Sequence, residues 1–311
     1  LIAHGSDFLK QEFLPQILEN DVEFAVGYSE PNAGSDLAAL KTRAVDNGDH
    51  YLITGQKIWT SGAHYSDYGI LITRTDSTVA KHKGLTMFWL DMKSPGVDIR
   101  PIKQVNGQSG FNEVYFDDVR IPDSQRLGGV GDGWRVSLTT LMNERTAIGG
   151  SGSGGGLLTG GGAIGKLVDL YKKQGIDSAV ERDELTQLWI RAEVLRLTNM
   201  RAAQMARVGN PGPEGSVGKA MMAFVNQDIW EKAVDIQGMA GQLDYDYTFR
   251  RPETTDMIGD SAGYAFLRAR ANTIEGGTSE VMKNILGEQV LGLPGEPRVD
   301  KDVPWIEVPR G

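Results

Sequence analysis

The 311-residue sequence contains no cysteine, which excludes both a disulfide framework and a thiolate-ligated zinc site. Only four histidines are present, His4, His50, His64 and His82, and they are scattered, so no metal-dependent chemistry is expected. No run approaches the roughly 18 apolar residues of a membrane-spanning helix. The opening stretch LIAHGSDFLKQEFLPQIL lacks the charged-then-apolar build of a signal peptide and reads as an amphipathic helix. Cations are also in deficit: 32 Lys and Arg stand against 41 Asp and Glu, a formal net charge of −9. Without a basic stripe, nucleic acid and anionic membrane surfaces are excluded as partners, which leaves small molecules or other proteins. A cytoplasmic location is the default expectation.

What is present points to several domains. A hydrophobic content of 40% over this length can bury more than one core. Over residues 1–22, Leu1, Ile2, Phe8, Leu9, Phe13 and Leu14 recur near helical spacing with no capping residue ahead of Leu1, so the sequence reads as beginning inside a helix. Residues 23–126 change period. Short β-rich runs, YLITGQKIWT, YGILITRTD, LTMFWLDM, VDIRPI and NEVYFDDVRI, are separated by Gly, Asn, Asp and Pro turns, which predicts an antiparallel β-domain. After the loop IPDSQRLGGVGDG the period turns helical, over 134–148, 185–208, 214–240, 262–272 and 278–291, the last three joined by short loops. The expectation is an α+β multidomain chain with the end of a helical domain at 1–22, a middle β-domain at 23–126 and a helical bundle at 127–311.

Residues 149–165, GGSGSGGGLLTGGGAIG, break the helical pattern with ten glycines. Each costs a helix interior about 1 kcal/mol relative to Ala, so composition alone reads the segment as a surface linker, with a helix of small residues that vacates neighbouring space as the alternative. PGPEG at 211–215 reads as an inter-helix turn.

Two stretches of the β-domain carry candidate chemistry. In YSEPNAGSD (28–36), Pro31, Asn32 and Gly34 suit a tight bend, and Ser29, Ser35 and backbone N–H groups could face an anion or a polar heterocycle. In KIWTSGAHYSD (57–67), Trp59 stands beside two hydroxyls at a strand end, the combination that a bound aromatic ring requires. A capped Pro-Asn-Gly turn and a core tryptophan are the ordinary readings of each alone. Both together, about 30 residues apart, favour a shared heterocycle site.

These stretches, with EVYFDDVRIPDSQRLGGVGDGW, LMNERTAIGG and IEGGTSEVMKNILGEQVLGLP, occur in the order and spacing of the acyl-CoA dehydrogenase flavoproteins, and the sequence resembles that family over nearly its whole length. The resemblance implies an N-terminal helical domain, of which only the last helix is present, a middle β-barrel domain and a C-terminal four-helix bundle, with FAD between the last two. It implies that Ser29, Gly34 and Ser35 hold the flavin and the thioester end of the substrate, that Trp59 flanks the isoalloxazine, and that Ser61 places a hydroxyl at flavin N5. Thr278 and Glu280 match positions on the adenylate side of the cofactor. The implied reaction removes a proton α to an acyl-CoA thioester and a hydride from the β-carbon, with an electron-transfer flavoprotein as acceptor.

Such a reaction needs a desolvated carboxylate base. Members of the family place it either just before Gly-Thr in the last motif or before Arg on the first bundle helix. The first location falls on Gly276, with Glu275 one residue early, and one residue re-aims a side chain by about 100° on a helix. The second falls on Glu144, which precedes Arg145 in register. Glu144 is therefore the expected base, Arg145 a substrate contact or a helix pin, and Glu275 a bystander that is solvated or paired with an arginine. A solvated polar residue on a helix face is the ordinary reading of Glu144 without the register.

The sequence departs from the family twice. An Arg-x-x-Phe-Gly motif whose arginine reaches a neighbouring subunit's FAD pyrophosphate is absent from IGKLVDLYKKQGIDSAVERDELTQLW. Where relatives read Gln-x-x-Gly-Gly-x-Gly, this sequence has DIQGMAGQ (235–242), with Asp235 at the Gln and Met239 at a Gly. An acid near a pyrophosphate is unfavourable. Either a different chain completes the FAD site in a hetero-oligomer, as in actinobacterial steroid and lipid catabolism, or a homo-oligomer holds the phosphates through residues such as Lys172, Lys173 or Arg182. A dimer of dimers is expected in both cases. A partner subunit without turnover or without FAD is the alternative. Small residues at 149–165, after the base-bearing helix, would make room for a bulky acyl group.

Overall fold

A computed structural model describes residues 1–147, 159–206, 215–243, 248–253, 261–298 and 300–309. The chain divides into two compact units, one of Leu1–Thr139, Thr248–Met257 and Pro297–Gly311, the other of Thr140–Tyr247 and Ile258–Glu296.

The first helix, α1 (Asp7–Glu19), does not reach back to Leu1. Ser6 caps it: its backbone is extended and its hydroxyl accepts the Leu9 N–H at 3.2 Å, which satisfies one of the donors a helix start leaves open. Residues 1–5 form a turn instead, and the His4 carbonyl accepts from Gly128 N–H at 3.0 Å. The expected helix start is corrected by a cap that lies inside the chain.

The sheet holds β1 (Phe24–Gly27), β2 (Arg43–Asp46), β3 (His50–Lys57), β4 (Tyr68–Arg74), β5 (Leu85–Asp91), β6 (Val97–Pro101), β7 (Asn112–Pro122) and β8 (Arg126–Leu127). Its order is β6-β7-β3-β2-β4-β5-β8, with β1 also on β4. Most pairs are antiparallel, as expected, but β1 and β2 pair with β4 in parallel. The long connection from β1 through the β2–β3 hairpin permits that crossover. The hairpin turns at Asn47 and Gly48, whose φ is +90°. Strands β4 and β5 are buried on both faces almost throughout, which explains the unbroken apolar runs ILIT and TMFWL. Tyr51, Ile53, Leu71, Phe88 and Val114 belong to the core, while Phe13 of α1 packs edge-on to Tyr68 at 4.8 Å and beside Trp89 at 5.3 Å.

The helices are α2 (Gly133–Ala147), α3 (Ala163–Gln174), α4 (Ala179–Ala206), α5 (Gly215–Asp235), α6 (Ala262–Ala269) and α7 (Ser279–Ile285). Leu188, Ala192 and Leu195 of α4, Met222, Val225 and Ile229 of α5, and Ile164 and Leu167 of α3 share one core at helical spacing. Helix α3 has no counterpart in the periodicity reading, because the adjoining glycines disguise its start; Gly162 occupies the cap position and the Gly160 N–H is taken by Glu193 at 2.8 Å. Most of the glycine-rich stretch, 148–158, and most of PGPEG, 211–214, lie outside the described residues. The expected short loop before α6 is also corrected: after a 3-10 turn at Gly238–Gln242, residues 248–253 pack with the sheet unit. Residues 300–309 do the same, through Trp305 N–H on Val79 O and Ile306 N–H on Ser77 O.

Candidate functional site

In the sheet unit the turn 28–36 and the segment leaving β3 come together. Ile58 N–H donates to Ser29 O at 2.9 Å. Behind this contact lies a buried ion pair. Lys57 is fully buried, and its Nζ donates to Glu30 Oε1 and Tyr28 O at 3.0 Å each, while the other Glu30 contacts are the N–H groups of Lys41 at 2.6 Å and Thr42 at 2.8 Å. Burial pushes Lys57 down to about 8, against the pull of Glu30. Glu30 is raised by burial but held below its ordinary value overall by Lys57 and by hydrogen bonds from Thr42 and Lys41. Ser29 is half-buried, and Gly34 and Ser35 are exposed on the free side of the same turn.

Trp59 is not a core tryptophan. It is 55% exposed, its backbone sits at φ +60°, and Phe111 meets it edge-on at 6.0 Å. A non-glycine residue in this left-handed region is strained, so the local hydrogen bonds must hold it there. Thr60 N–H donates to Asn112 O at 3.0 Å and Asn112 Nδ2 donates to Thr60 O at 2.9 Å. Thr60 Oγ1 is buried with no hydrogen-bond partner, and Ser61 is exposed beside it.

In the helical unit Glu144 is exposed on α2, and the Arg145 side chain lies outside the described residues. Glu275 is held. Arg268 donates to both its oxygens at 2.8 and 2.9 Å, and Asn272 Nδ2 donates to Oε1 at 2.8 Å. Gly276 and Gly277 follow at φ +63° and +96°, and a Cβ on Gly277 would lie 2.5 Å from Met282 Cε. Thr278 caps α7 by accepting the Val281 N–H at 3.2 Å, and Glu280 is exposed in the first turn. Asp235 and Met239 are exposed, the latter at 77%. Lys172, Lys173 and Arg182 are also exposed, Arg182 facing Asp177 at 3.6 Å.

Two positioning groups escaped the sequence reading. One is the Glu30–Lys57 pair. The other is Lys219 of α5, fully buried, whose Nζ donates to Asn272 O and Gly277 O at 2.7 Å each and so closes both ends of the loop that carries Glu275 and Gly276. Each had a signal: Lys57 continues the inward alternation Tyr51, Ile53, Gly55, and Lys219 lies on the apolar stripe of Met222 and Ile229. No helix among the described residues is long and apolar enough to cross a membrane, and among them no cluster of His, Asp and Glu could hold a metal ion.

Residues 25–119 match the acyl-CoA dehydrogenase middle domain and residues 131–291 the acyl-CoA dehydrogenase C-terminal domain. Acyl-CoA dehydrogenase FadE34 of Mycobacterium tuberculosis is 36% identical over 295 residues, 94% of this chain and 38% of that protein, so the chain spans less than half of that relative. The Tcur3481-Tcur3483 steroid ACAD superposes with a TM-score of 0.81 at 30% identity, over 95% of this chain and 74% of that one. The ChsE4-ChsE5 complex from Mycobacterium tuberculosis gives 0.78 at 30% identity, over 95% and 75%. With a middle sheet followed by a helical domain and both family domains matched in that order, the chain belongs to the acyl-CoA dehydrogenase family.

Proposed function

We propose that this chain takes part in the FAD-dependent α,β-dehydrogenation of an acyl-CoA thioester to a 2,3-enoyl-CoA, with Glu144 as the base. The observation that carries the reading is the state of the rival carboxylate. Both Glu275 oxygens are occupied by Arg268 and one also by Asn272, and the next position, where many relatives keep their base, is Gly276. A carboxylate with both oxygens engaged by one guanidinium is held in place and not presented to a substrate carbon. Glu144, in the other register, is then the group that takes the α-proton, and Arg145 beside it is assigned to the substrate.

The sheet-unit residues fit a flat heteroaromatic cofactor. Trp59 offers an exposed ring held by a strained backbone, Ser61 an exposed hydroxyl, Thr60 an orphaned buried one, and a Cβ on Gly34 would meet nothing within 4 Å. Ser29, Gly34, Ser35, Trp59 and Ser61 would hold the flavin end, and Thr278 and Glu280 the adenylate end. FAD, when bound, supplies the acceptor for the β-hydride and a route for the electrons to an electron-transfer flavoprotein. Glu144 is exposed in this chain, so the desolvation that the base needs would come from the bound substrate and the completing chain; the chain's own work is to orient the thioester and receive the α-proton on Glu144.

Exposed Asp235 and Met239, where relatives approach a neighbour's cofactor with amide and glycine, favour a hetero-oligomer in which another chain completes the FAD site. The steroid ACAD and the ChsE4-ChsE5 complex support the same arrangement and a bulky, steroid-like acyl group. A FAD-deficient partner subunit is the second reading, carried by the same two residues. The test is to express the full-length protein alone and with a co-encoded homologue, and to count FAD per chain. About one FAD per pair of chains, only in the complex, is the expected result, whereas full loading of the protein alone refutes the shared site. Glu144→Gln in the loaded complex should retain FAD and lose at least about 100-fold in turnover; near-normal turnover refutes its role as base.

A further inference from the structure

Segment 300–309 lies along residues 77–81 of the sheet unit. Its backbone is fixed there: Pro304 bridges to Ala80, Trp305 N–H donates to Val79 O at 2.8 Å, and Ile306 N–H donates to Ser77 O at 3.0 Å. Two of its side chains reach past this seam. The Trp305 ring lies over the Arg74 guanidinium, with Cζ 4.3 Å from the ring centroid. Asp300 accepts from Lys81 Nζ at 2.5 Å. Both contacts therefore end on a cation that is buried in the sheet unit.

The two cations act on one stretch, the connection from the turn 28–36 to β2. Arg74 donates from Nε to Leu40 O at 3.1 Å, from Nη2 to Ala38 O at 2.5 Å and from Nη1 to Lys81 O at 3.1 Å. Lys81 Nζ donates to both Asp36 oxygens, at 2.9 and 3.0 Å. Burial lowers the proton affinity of Lys81, but Asp300 and Asp36 more than offset it, so the group stays an ammonium. Between these anchors lies a 3-10 turn, Leu37–Ala39; Asp36 is at its cap position, yet its side chain is engaged by Lys81 and not by the turn's amides. A lone 3-10 turn has poor hydrogen-bond geometry and needs outside support. Arg74 supplies it on the carbonyl side, and Glu30 takes the Lys41 and Thr42 amides that follow.

An aromatic ring on the face of a guanidinium shields it from water and leaves its in-plane N–H groups to the carbonyls they meet. Without the ring, water reaches Arg74 and competes for those donors. Groups that hold a ligand must be kept within about 0.5 Å of their working positions, which an unsupported surface turn does not ensure. We propose that segment 300–309 is a positioning element for the turn 28–36: Trp305 through Arg74, and Asp300 through Lys81, hold residues 36–40 and with them Gly34 and Ser35. That this turn holds a ligand rests on the dehydrogenase reading. Trp305 and Asp300 act through the two cations and are positioning residues, not catalytic ones.

The test uses the full-length protein with its co-encoded homologue and compares Trp305→Leu, Trp305→Phe and Asp300→Asn with Gly34→Ala, a change within the turn whose Cβ meets nothing within 4 Å. Two quantities are read: amide hydrogen exchange over 37–42 against 85–91 of β5, without added ligand, and affinity for FAD. Trp305→Leu should speed exchange over 37–42 about tenfold, leave 85–91 unchanged and weaken FAD binding about tenfold. Trp305→Phe, which keeps an aromatic face on Arg74, should stay close to wild type. Asp300→Asn should act in the same direction more weakly, because Lys81 retains Asp36. Unchanged exchange over 37–42 in Trp305→Leu, or equal acceleration over 37–42 and 85–91, leaves the segment a purely structural role and overturns the proposal. So does an opened 37–42 with FAD affinity intact, if Gly34→Ala weakens that affinity. An opened 37–42 with FAD affinity altered by neither Trp305→Leu nor Gly34→Ala, or in a wild-type protein that takes no FAD, keeps the segment's hold on the turn and removes the ligand reading of the turn.

Discussion

Lys57→Met tests how the sheet unit holds the turn 28–36. Lys57 is wholly buried and the Glu30 side chain 8% exposed, so removing the ammonium strands a carboxylate and the Tyr28 carbonyl away from water. Breaking a buried pair costs about 3–5 kcal/mol. The lower end applies, because the Lys41 and Thr42 N–H groups remain on Glu30. About 3 kcal/mol corresponds to a fall in Tm of about 6–12 °C for a unit of this size, measured by calorimetry on the full-length protein. Glu30→Gln combined with Lys57→Met should recover part of the loss, since the partner charge goes with it.

The pH dependence separates the two charges. Glu30 is held below its unfolded value, so its stabilisation is complete above about pH 4.5 and is lost as pH falls through the depressed folded value. Lys57 falls from 10.5 to about 8 on folding. Between those values the unfolded chain binds more protons, so stability from this group rises with pH across that window. Lys57→Met should abolish the alkaline rise and move the acid loss to higher pH. A change in Tm below about 2 °C, or an unaltered pH profile, would refute the burial and pairing on which the reasoning rests.

Three further outcomes follow from single contacts. Trp59→Gly relieves a left-handed backbone that costs other residues about 1–2 kcal/mol, so the protein should melt no lower than wild type in thermal scans while FAD binding, followed by flavin fluorescence, weakens. Gly133→Ala places a Cβ 2.6 Å from the Leu85 carbonyl carbon and the Thr86 nitrogen, backbone that cannot yield; a loss of about 1–3 kcal/mol should be seen in urea unfolding. Lys219→Met orphans the Asn272 and Gly277 carbonyls, and should lower stability by about 2–3 kcal/mol and loosen amide protection over 272–278 in hydrogen exchange, whereas Lys219→Arg should preserve part of both.

Local chemistry made much of this legible in the sequence. The strands read as apolar runs between turn residues, the helices α2, α4 and α5 as 3.6-residue periods, and the Trp59 turn as a candidate ring site, because period and turn chemistry act over a few residues. The register of Glu144, and the displacement of Glu275 by one position, are also properties of order along the chain. The start of α1 was legible in principle, since Ser6 is an ordinary cap, but the apolar residues before it hid the break.

The rest depended on which distant residues meet. The glycines before α3 conceal a helix whose Ile164 and Leu167 are stabilised by packing on α4 and α5, not by propensity. Nothing local says that Glu30 and Lys57, 27 residues apart, share a desolvated contact, that Arg268 takes up Glu275, or that residues 248–253 leave the helices to pair with the loop 104–109. By itself the sequence determined the family and the order of sheet and helices. Only the tertiary structure decided which charges are buried, which are paired and which donors are left without acceptors, because those depend on desolvation and on neighbours brought together by folding.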